Sequence, residues 1–328
     1  MKDATSVPRY SFAALSDIHI DLENGGKNTY FVNAEKNLSL ALGCVRRRGC
    51  SFIISAGDQV TNASGAKDEW RRYREIITQS GYTGMIFEAV GNHELRLASH
   101  GGCSIKDALD EFITMTKLSD KPVLREEGRA YYEYLEPLLG DSFIFMAQER
   151  GFGTNSVDNF TDDQTDWVEA LIEKRLREGR RIFLIQHANL YRFGAGDDRE
   201  HPCYEGAARL TGHDGRPFEN NLRFKALTER YRDLIWLSGH THVDLRDDVN
   251  YSNEDGRSCH MLHIPSVANT TRLRHDGEEY FLDRRFYDDT TQGYIADVYA
   301  DRVIFRGINF FYDRLYPAYT YEILKSKK

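Results

Sequence analysis

The chain has 328 residues, 41% of them apolar and 29% charged, and a net charge of −8. That length can bury a full core, and the composition is ordinary for a globular protein. The acidic balance argues against a broad nucleic-acid footprint, and no apolar run approaches the roughly 20 residues of a membrane-spanning helix.

Residues 10–15 form a first predicted strand that runs into Ser16-Asp17-Ile18-His19. Phe31, Ala34, Leu38, Ala41 and Val45 then recur at helical spacing, and Gly49 stops that helix. A second strand, residues 51–55, leads to Gly57-Asp58. A helix with Trp70, Tyr73 and Ile77 on one face ends at Gly81. Residues 85–90 make a third strand, which ends at Gly91-Asn92-His93-Glu94. Strand, helix, strand, helix, strand is the pattern of a parallel layer with helical crossovers.

Residues 104–118 read as a helix, and 131–135 and 142–147 as strands paired across a turn at 137–141. Thr161-Asp162-Asp163-Gln164 has capping-box spacing and opens a helix that runs to Gly179. The strand at 182–185 ends at His187. Periodicity fails over residues 194–221, and we read this stretch as a flap beside the site. A helix at 222–231 and a strand at 234–237 follow, the strand ending at Gly239-His240-Thr241-His242. Further strands lie at 258–264, 293–299 and 302–308, the last two joined as a hairpin at Ala300-Asp301. We expect one domain over residues 1–328, α/β in class. Early strands are parallel and late ones antiparallel, so two β-layers with helices outside fit better than one sheet.

Five apolar runs thus end in residues that can bind a metal, and ligands bind at the carboxyl ends of strands in open α/β sheets. A lone Asp-x-His is far more often structural than catalytic; five such endings in order are another matter. Imidazole, carboxylate and amide donors without thiolate suit manganese, iron, zinc or cobalt. The five cysteines (Cys44, Cys50, Cys103, Cys203 and Cys259) have no Cys-x-x-Cys spacing and read as free thiols of a reducing cytosol. Residues 1–6 show no apolar signal-peptide region, so a cytoplasmic protein is expected.

The ordered set Asp17-x-His19, Gly57-Asp58, Gly91-Asn92-His93-Glu94, His187 and Gly239-His240-Thr241-His242 resembles the calcineurin-like metallophosphoesterases. Within them it is similar to the class III cyclic-nucleotide phosphodiesterase branch. The resemblance implies a four-layer α/β/β/α sandwich of two mixed sheets, with the C-terminal hairpin completing the second sheet. It implies a two-metal centre at the strand ends. Position by position, Asp17, His19 and His242 would hold the first metal, Asn92, His187 and His240 the second, and Asp58 would bridge. His93 would bind no metal and would act as general acid while a metal-bound hydroxide attacks phosphorus in line.

The same resemblance favours a small phosphodiester substrate. The alternatives are a phosphomonoester (nucleotide, sugar phosphate or phosphoprotein) and, from another class, a non-catalytic metal-binding scaffold. Candidate substrate contacts are Arg96, close to His93 and otherwise a solvated arginine; Tyr191 and Phe193, which stack a base or anchor the flap; and Arg272, which with Arg274 meets a distal charge or forms part of a solvated face. Glu94 either accepts hydrogen bonds behind the site or starts a helix. Asn62 reads as a turn residue, and His100, His201 and His213 as surface histidines. The acidic run 244–248 needs no function.

Overall fold

The fold is given by a computed structural model that describes residues 7–22, 31–61, 66–151, 158–197, 208–212, 214–276, 279–283 and 289–326. Strands β1 (Tyr10–Leu15), β2 (Phe52–Ser55) and β3 (Met85–Glu88) run parallel and are buried almost throughout. They are linked by α1 (Ala34–Arg47) and α2 (Ala66–Gln79). Strands with no polar face need cover on both sides. Leu38, Ala41 and Val45 of α1 supply it on one side, and a second sheet supplies it on the other.

The short helix α3 (Arg96–Ser99) and α4 (Ile105–Met115), capped by Ser104, lead into that second sheet. Its strands are β4 (Val123–Leu124), β5 (Tyr132–Leu135), β6 (Ser142–Phe145), β7 (Ile182–Ala188), β8 (Ile235–Gly239), β9 (Tyr251–Ser252) and β10 (His260–His263). They lie in the order β4-β5-β6-β7-β8-β10-β9, with β6, β7, β8 and β10 parallel. α5 (Asp162–Arg177) precedes β7 and α6 (Glu219–Arg230) precedes β8.

The two faces of β6 show how one sequence serves two layers. Phe143 points between the sheets, where its ring meets Phe12 of β1 edge-on at 5.3 Å and stacks on Phe183 of β7 at 4.3 Å. Ile144, on the other face, packs with Leu184 and Trp236 against Leu171 of α5 and Phe224 of α6. Each aromatic pair adds about 0.5–1.5 kcal/mol beyond the area it buries. The result is two mixed sheets between helices, an α/β/β/α sandwich.

Beyond a separate ribbon of β11 (Arg272–Asp276) and β12 (Glu279–Asp283) come β13 (Gln292–Val298), β14 (Arg302–Asn309) and β15 (Arg314–Leu324). Here the expectation is corrected. The hairpin of β13 and β14 does not complete the second sheet: β13 pairs antiparallel with β1, Tyr10 opposite Val298. The first sheet therefore reads β15-β14-β13-β1-β2-β3. β1 has backbone donors and acceptors on both edges, and only β2 is available from the nearby sequence. Among the described residues, no helix is long and apolar enough to cross a membrane. Cys44, Cys50, Cys103 and Cys259 are free thiols, and Cys203 lies outside the described residues.

Candidate metal centre

The loops after β1, β2, β3, β7 and β8 meet at one end of the sandwich. Those after β1 and β2 run together: Ile18 N–H and His19 N–H both donate to the Asp58 carbonyl, at 2.8 and 2.9 Å. Residues after β10 close the other side, with Ala268 N–H on the Asp17 carbonyl (3.0 Å) and Thr271 N–H on the His242 carbonyl (2.8 Å). This crowding explains two motif glycines. A Cβ on Gly91 would lie 2.2 Å from Asp58 Oδ1, and one on Gly239 would lie 2.5 Å from Asp17 Oδ2. Asp17, His19, Asp58, His240 and His242 all have positive φ, between 51° and 77°. Left-handed backbone is rare outside glycine, and strained positions of this kind persist only where the surroundings hold them.

The side chains form three overlapping groups, Asp17–His19–His242, His19–Asp58–His93 and Asp58–His187–His240, each with its donor atoms within 4.8 Å of one another. His242 Nε2 is 3.1 Å from Asp17 Oδ1 and 3.1 Å from His19 Nε2. His187 Nε2 is 3.0 Å from Asp58 Oδ2, 3.0 Å from Asn92 Oδ1 and 3.3 Å from His240 Nδ1. Asp58 Oδ2 also lies 3.7 Å from His19 Nε2, so this carboxylate stands between the clusters. Lone-pair nitrogens and carboxylate oxygens facing one another in a buried pocket repel unless a cation or protons lie among them. The far ring nitrogens of His19 and His242 are buried with no hydrogen-bond partner among the described residues, so both rings offer Nε2 to the pocket. The donor set fits a pair of cations.

Burial is the largest influence on the ionisable groups here. It pushes His19 down to about 3, leaving the neutral imidazole that a metal needs. Burial opposes the charges of Asp17 and Asp58 too, yet the facing histidines, His242 for Asp17 and His187 for Asp58, hold both carboxyls well below the usual range. For His187 burial is again outweighed: the Asp58 charge, its hydrogen bond to Asp58 and the Asp17 charge raise it to about 9.

His93 is partly exposed where the ligands are buried. Its Nδ1 lies 3.0 Å from the Thr61 carbonyl, its backbone N–H donates to Asp58 Oδ1 at 2.8 Å, and its ring meets His19 edge-on at 4.6 Å. Glu94 resolves in favour of hydrogen bonding. Its buried carboxylate accepts backbone N–H groups from Gly91 (2.7 Å), Asp58 (3.0 Å), Gln59 (2.8 Å) and Val60 (3.4 Å), tying two ligand loops together. Burial and the Asp58 charge push its carboxyl up to about 8, against the pull of those donors.

The sequence pattern of one family, the calcineurin-like phosphoesterases, matches residues 10–244, a stretch that contains every ligand candidate. The chain belongs to that family. The fold of this calcineurin-like phosphoesterase is similar to that of a dimetal phosphatase from Danio rerio, with a TM-score of 0.60 at 13% identity over 97% of this chain and 100% of the other. It is equally similar to purple acid phosphatase PPD1 from yellow lupin (Lupinus luteus) seeds, with a TM-score of 0.60 at 13% identity over 96% of this chain and 53% of that one. At such identity the likeness is one of fold. No curated protein matches the chain by sequence.

The candidate substrate contacts of this phosphoesterase fare differently. Of the two readings of Phe193, anchoring the flap is the one its surroundings fit: it is 2% exposed, sunk in the core between the second sheet and α5 and α6, with Lys225 Nζ 4.6 Å over its ring. An aromatic ring at the start of an irregular loop went to the nearest apolar core. Residues 194–197 are likewise buried, with Gly196 N–H on the Val249 carbonyl at 2.7 Å, so the loop begins as packed structure. The guanidinium groups of Arg192 (5.3 Å) and Arg209 (5.1 Å) both lie over the Tyr191 ring. Arg272 Nε is paired with Asp247 Oδ1 at 3.0 Å. Arg96 opens α3, and its charge lowers the His93 pKa alongside the larger effect of burial. His100 is exposed; Asn62, His201 and His213 lie outside the described residues.

Three features went unread. Phe31 stacks on His19, centroids 4.2 Å apart. The acidic run 244–248 is not idle, since buried Asp244 accepts from Arg246, Thr270 and Gln292. His263 ends β10 and bonds Thr241. The strand-end rule that picked out the ligands applied equally to His263.

Proposed function

We propose that this protein is a two-metal phosphoric ester hydrolase that cleaves a phosphodiester. The observation that carries the proposal is the pair of donor clusters meeting at Asp58. In this reading Asp17, His19 and His242 hold one ion, Asn92, His187 and His240 the other, and Asp58 both. The donor types fit manganese, iron or zinc. Such a pair of ions, when bound, supplies a nucleophile at neutral pH and balances phosphoryl charge.

The chain's own residues do the rest. Asn92 contributes an amide oxygen without adding charge. With Nδ1–H of His93 donating to the Thr61 carbonyl, Nε2 is the nitrogen left to carry a proton to the leaving alkoxide. The bond from His93 N–H to Asp58 Oδ1 keeps that acid in register with the bridging carboxylate. Glu94 locks the loops bearing Asp58 and Asn92 to each other.

The diester preference rests on the motif order, which resembles the class III phosphodiesterases. The Danio rerio and lupin proteins are phosphatases by name, so the monoester is the competing substrate. The test is a paired rate assay on manganese-reconstituted protein, with an aryl phosphodiester against the matching monoester and Asp58→Ala as control. A faster diester rate that disappears in the control supports the proposal. A faster monoester rate replaces the substrate class, and no Asp58-dependent rate on either overturns the hydrolase reading.

A further inference from the structure

Thr241 stands between two candidate ligands, His240 and His242, and its hydroxyl lies 2.9 Å from His263 Nε2. His263 Nδ1 lies 2.9 Å from Asn250 Oδ1. Asn250 Nδ2 donates to the carbonyls of Asp244 and Asp247, both at 2.8 Å. Thr241, His263 and Asn250 are each at most 2% exposed. The two carbonyls fix the direction of the chain. They require the Asn250 amide to face them, so Oδ1 is the acceptor, Nδ1 of His263 carries the proton, and Nε2 accepts from the Thr241 hydroxyl. The Thr241 carbonyl is held as well, by Thr271 Oγ1 at 3.1 Å.

A second observation shows why this matters. A metal-ligating histidine ordinarily donates its far ring nitrogen to a fixed acceptor, which aims the ring. His242 Nδ1 is buried and has none among the described residues. The aim of His242 therefore depends on its backbone, which at His240 and His242 takes φ of 77° and 58°. Thr241, the residue between those two left-handed positions, is the one that His263 grips.

We infer that His263 is a positioning residue: through Thr241 it sets the turn that aims His240 and His242 into the metal centre. This rests on the two-metal reading above. No ligand is removed by changing it, so its effect is separable from loss of the donors themselves.

The experiment is calorimetric titration of metal-free protein with Mn2+, alongside thermal melts, for wild type, His263→Leu, His263→Gln and Thr241→Val. Wild type takes up two ions. His263→Leu and Thr241→Val weaken uptake by about 10- to 100-fold, the range typical of losing an outer hydrogen bond that supports a metal site. His263→Gln stays within about threefold of wild type, because its amide offers N–H to Asn250 and oxygen to the Thr241 hydroxyl. The His263→Leu, Thr241→Val double variant is no weaker than the worse single one, since both cut the same path. Variants that melt earlier yet bind both ions as tightly as wild type overturn the inference and leave His263 a core residue. So does a His263→Gln variant as weak as His263→Leu. If His263→Leu does not fold, Thr241→Val carries the comparison with its shape nearly unchanged. Wild type that takes up no Mn2+ overturns the two-metal reading itself, a result distinct from a loss confined to the variants.

Discussion

Gly91→Ala tests whether the ligand loops are as tightly interlocked as their geometry indicates. The new methyl would sit 2.2 Å from Asp58 Oδ1 and 2.6 Å from Asp58 N, where real Cβ contacts stay above 3.0 Å. Opening the gap from 2.2 to 3.0 Å needs about 0.8 Å of movement. Neither side yields easily, because Gly91 N–H and Asp58 N–H both donate to the same oxygen, Glu94 Oε2, at 2.7 and 3.0 Å. Overpacking of this kind costs about 1–3 kcal/mol, or roughly 1.5–4.5 °C in melting temperature for a chain of this size. The catalytic cost is larger, since misplacing reacting groups by about 1 Å lowers rates about 100-fold. The assay pairs a thermal melt with the phosphodiester rate of manganese-reconstituted protein. A melting temperature within about 1 °C and a rate within about twofold of wild type would refute the interlocking.

Three other outcomes are expected. His93→Ala lowers the rate by about 10²–10⁴-fold on a diester with a poor leaving group and far less on one with a good leaving group; equal losses on both would rule out its role as acid. Phe193→Ala destabilises by about 3–5 kcal/mol, the cost of emptying a core aromatic site, with KM unchanged; a raised KM without loss of melting temperature would return Phe193 to the substrate. Burial acts to raise the Asp313 carboxyl, but hydrogen bonds from Cys44, Arg47 and Arg48 prevail and hold it down to about 2. A carboxyl depressed in the fold stabilises above its unfolded value of 3.8 and loses that contribution as pH falls through about 2. The gap in melting temperature between wild type and Asp313→Asn is therefore full at pH 6 and closes toward pH 2, and a gap that persists at pH 2 contradicts the assignment.

The convergence of the candidate donors was legible because each stands just past a run of apolar residues, and burial makes such runs easy to see. Asp17, Asp58, Asn92, His187 and His240 needed only the rule that ligands gather at strand ends. The partners of β1 were not legible, since Tyr10 and Val298 are neighbours through pairing alone. β15 escaped because it is an edge strand with Pro317 inside it, and its exposure alternates irregularly. Phe193 stayed open between two roles because an aromatic residue in an aperiodic loop looks the same whether it faces a ligand or a core. Thr241, His263 and Asn250 are polar residues whose meaning lies wholly in whom they bond.

The placement of β1 has a consequence for how the molecule is made. Synthesis runs from the N-terminal side, and β1 can dock on β2 as soon as Phe52–Ser55 has emerged. Its other edge must wait for β13, nearly the whole chain later. Until then a strand buried on both faces in the finished protein carries an unpaired flank, the kind of surface that recruits stray strands. The loop that seats on Asp17, around Ala268, also arrives late. The candidate metal centre thus draws on β1, made early in this stretch of chain, and on segments made more than two hundred residues later, so translation stalled between the two leaves a nascent chain prone to aggregate rather than a partly active enzyme.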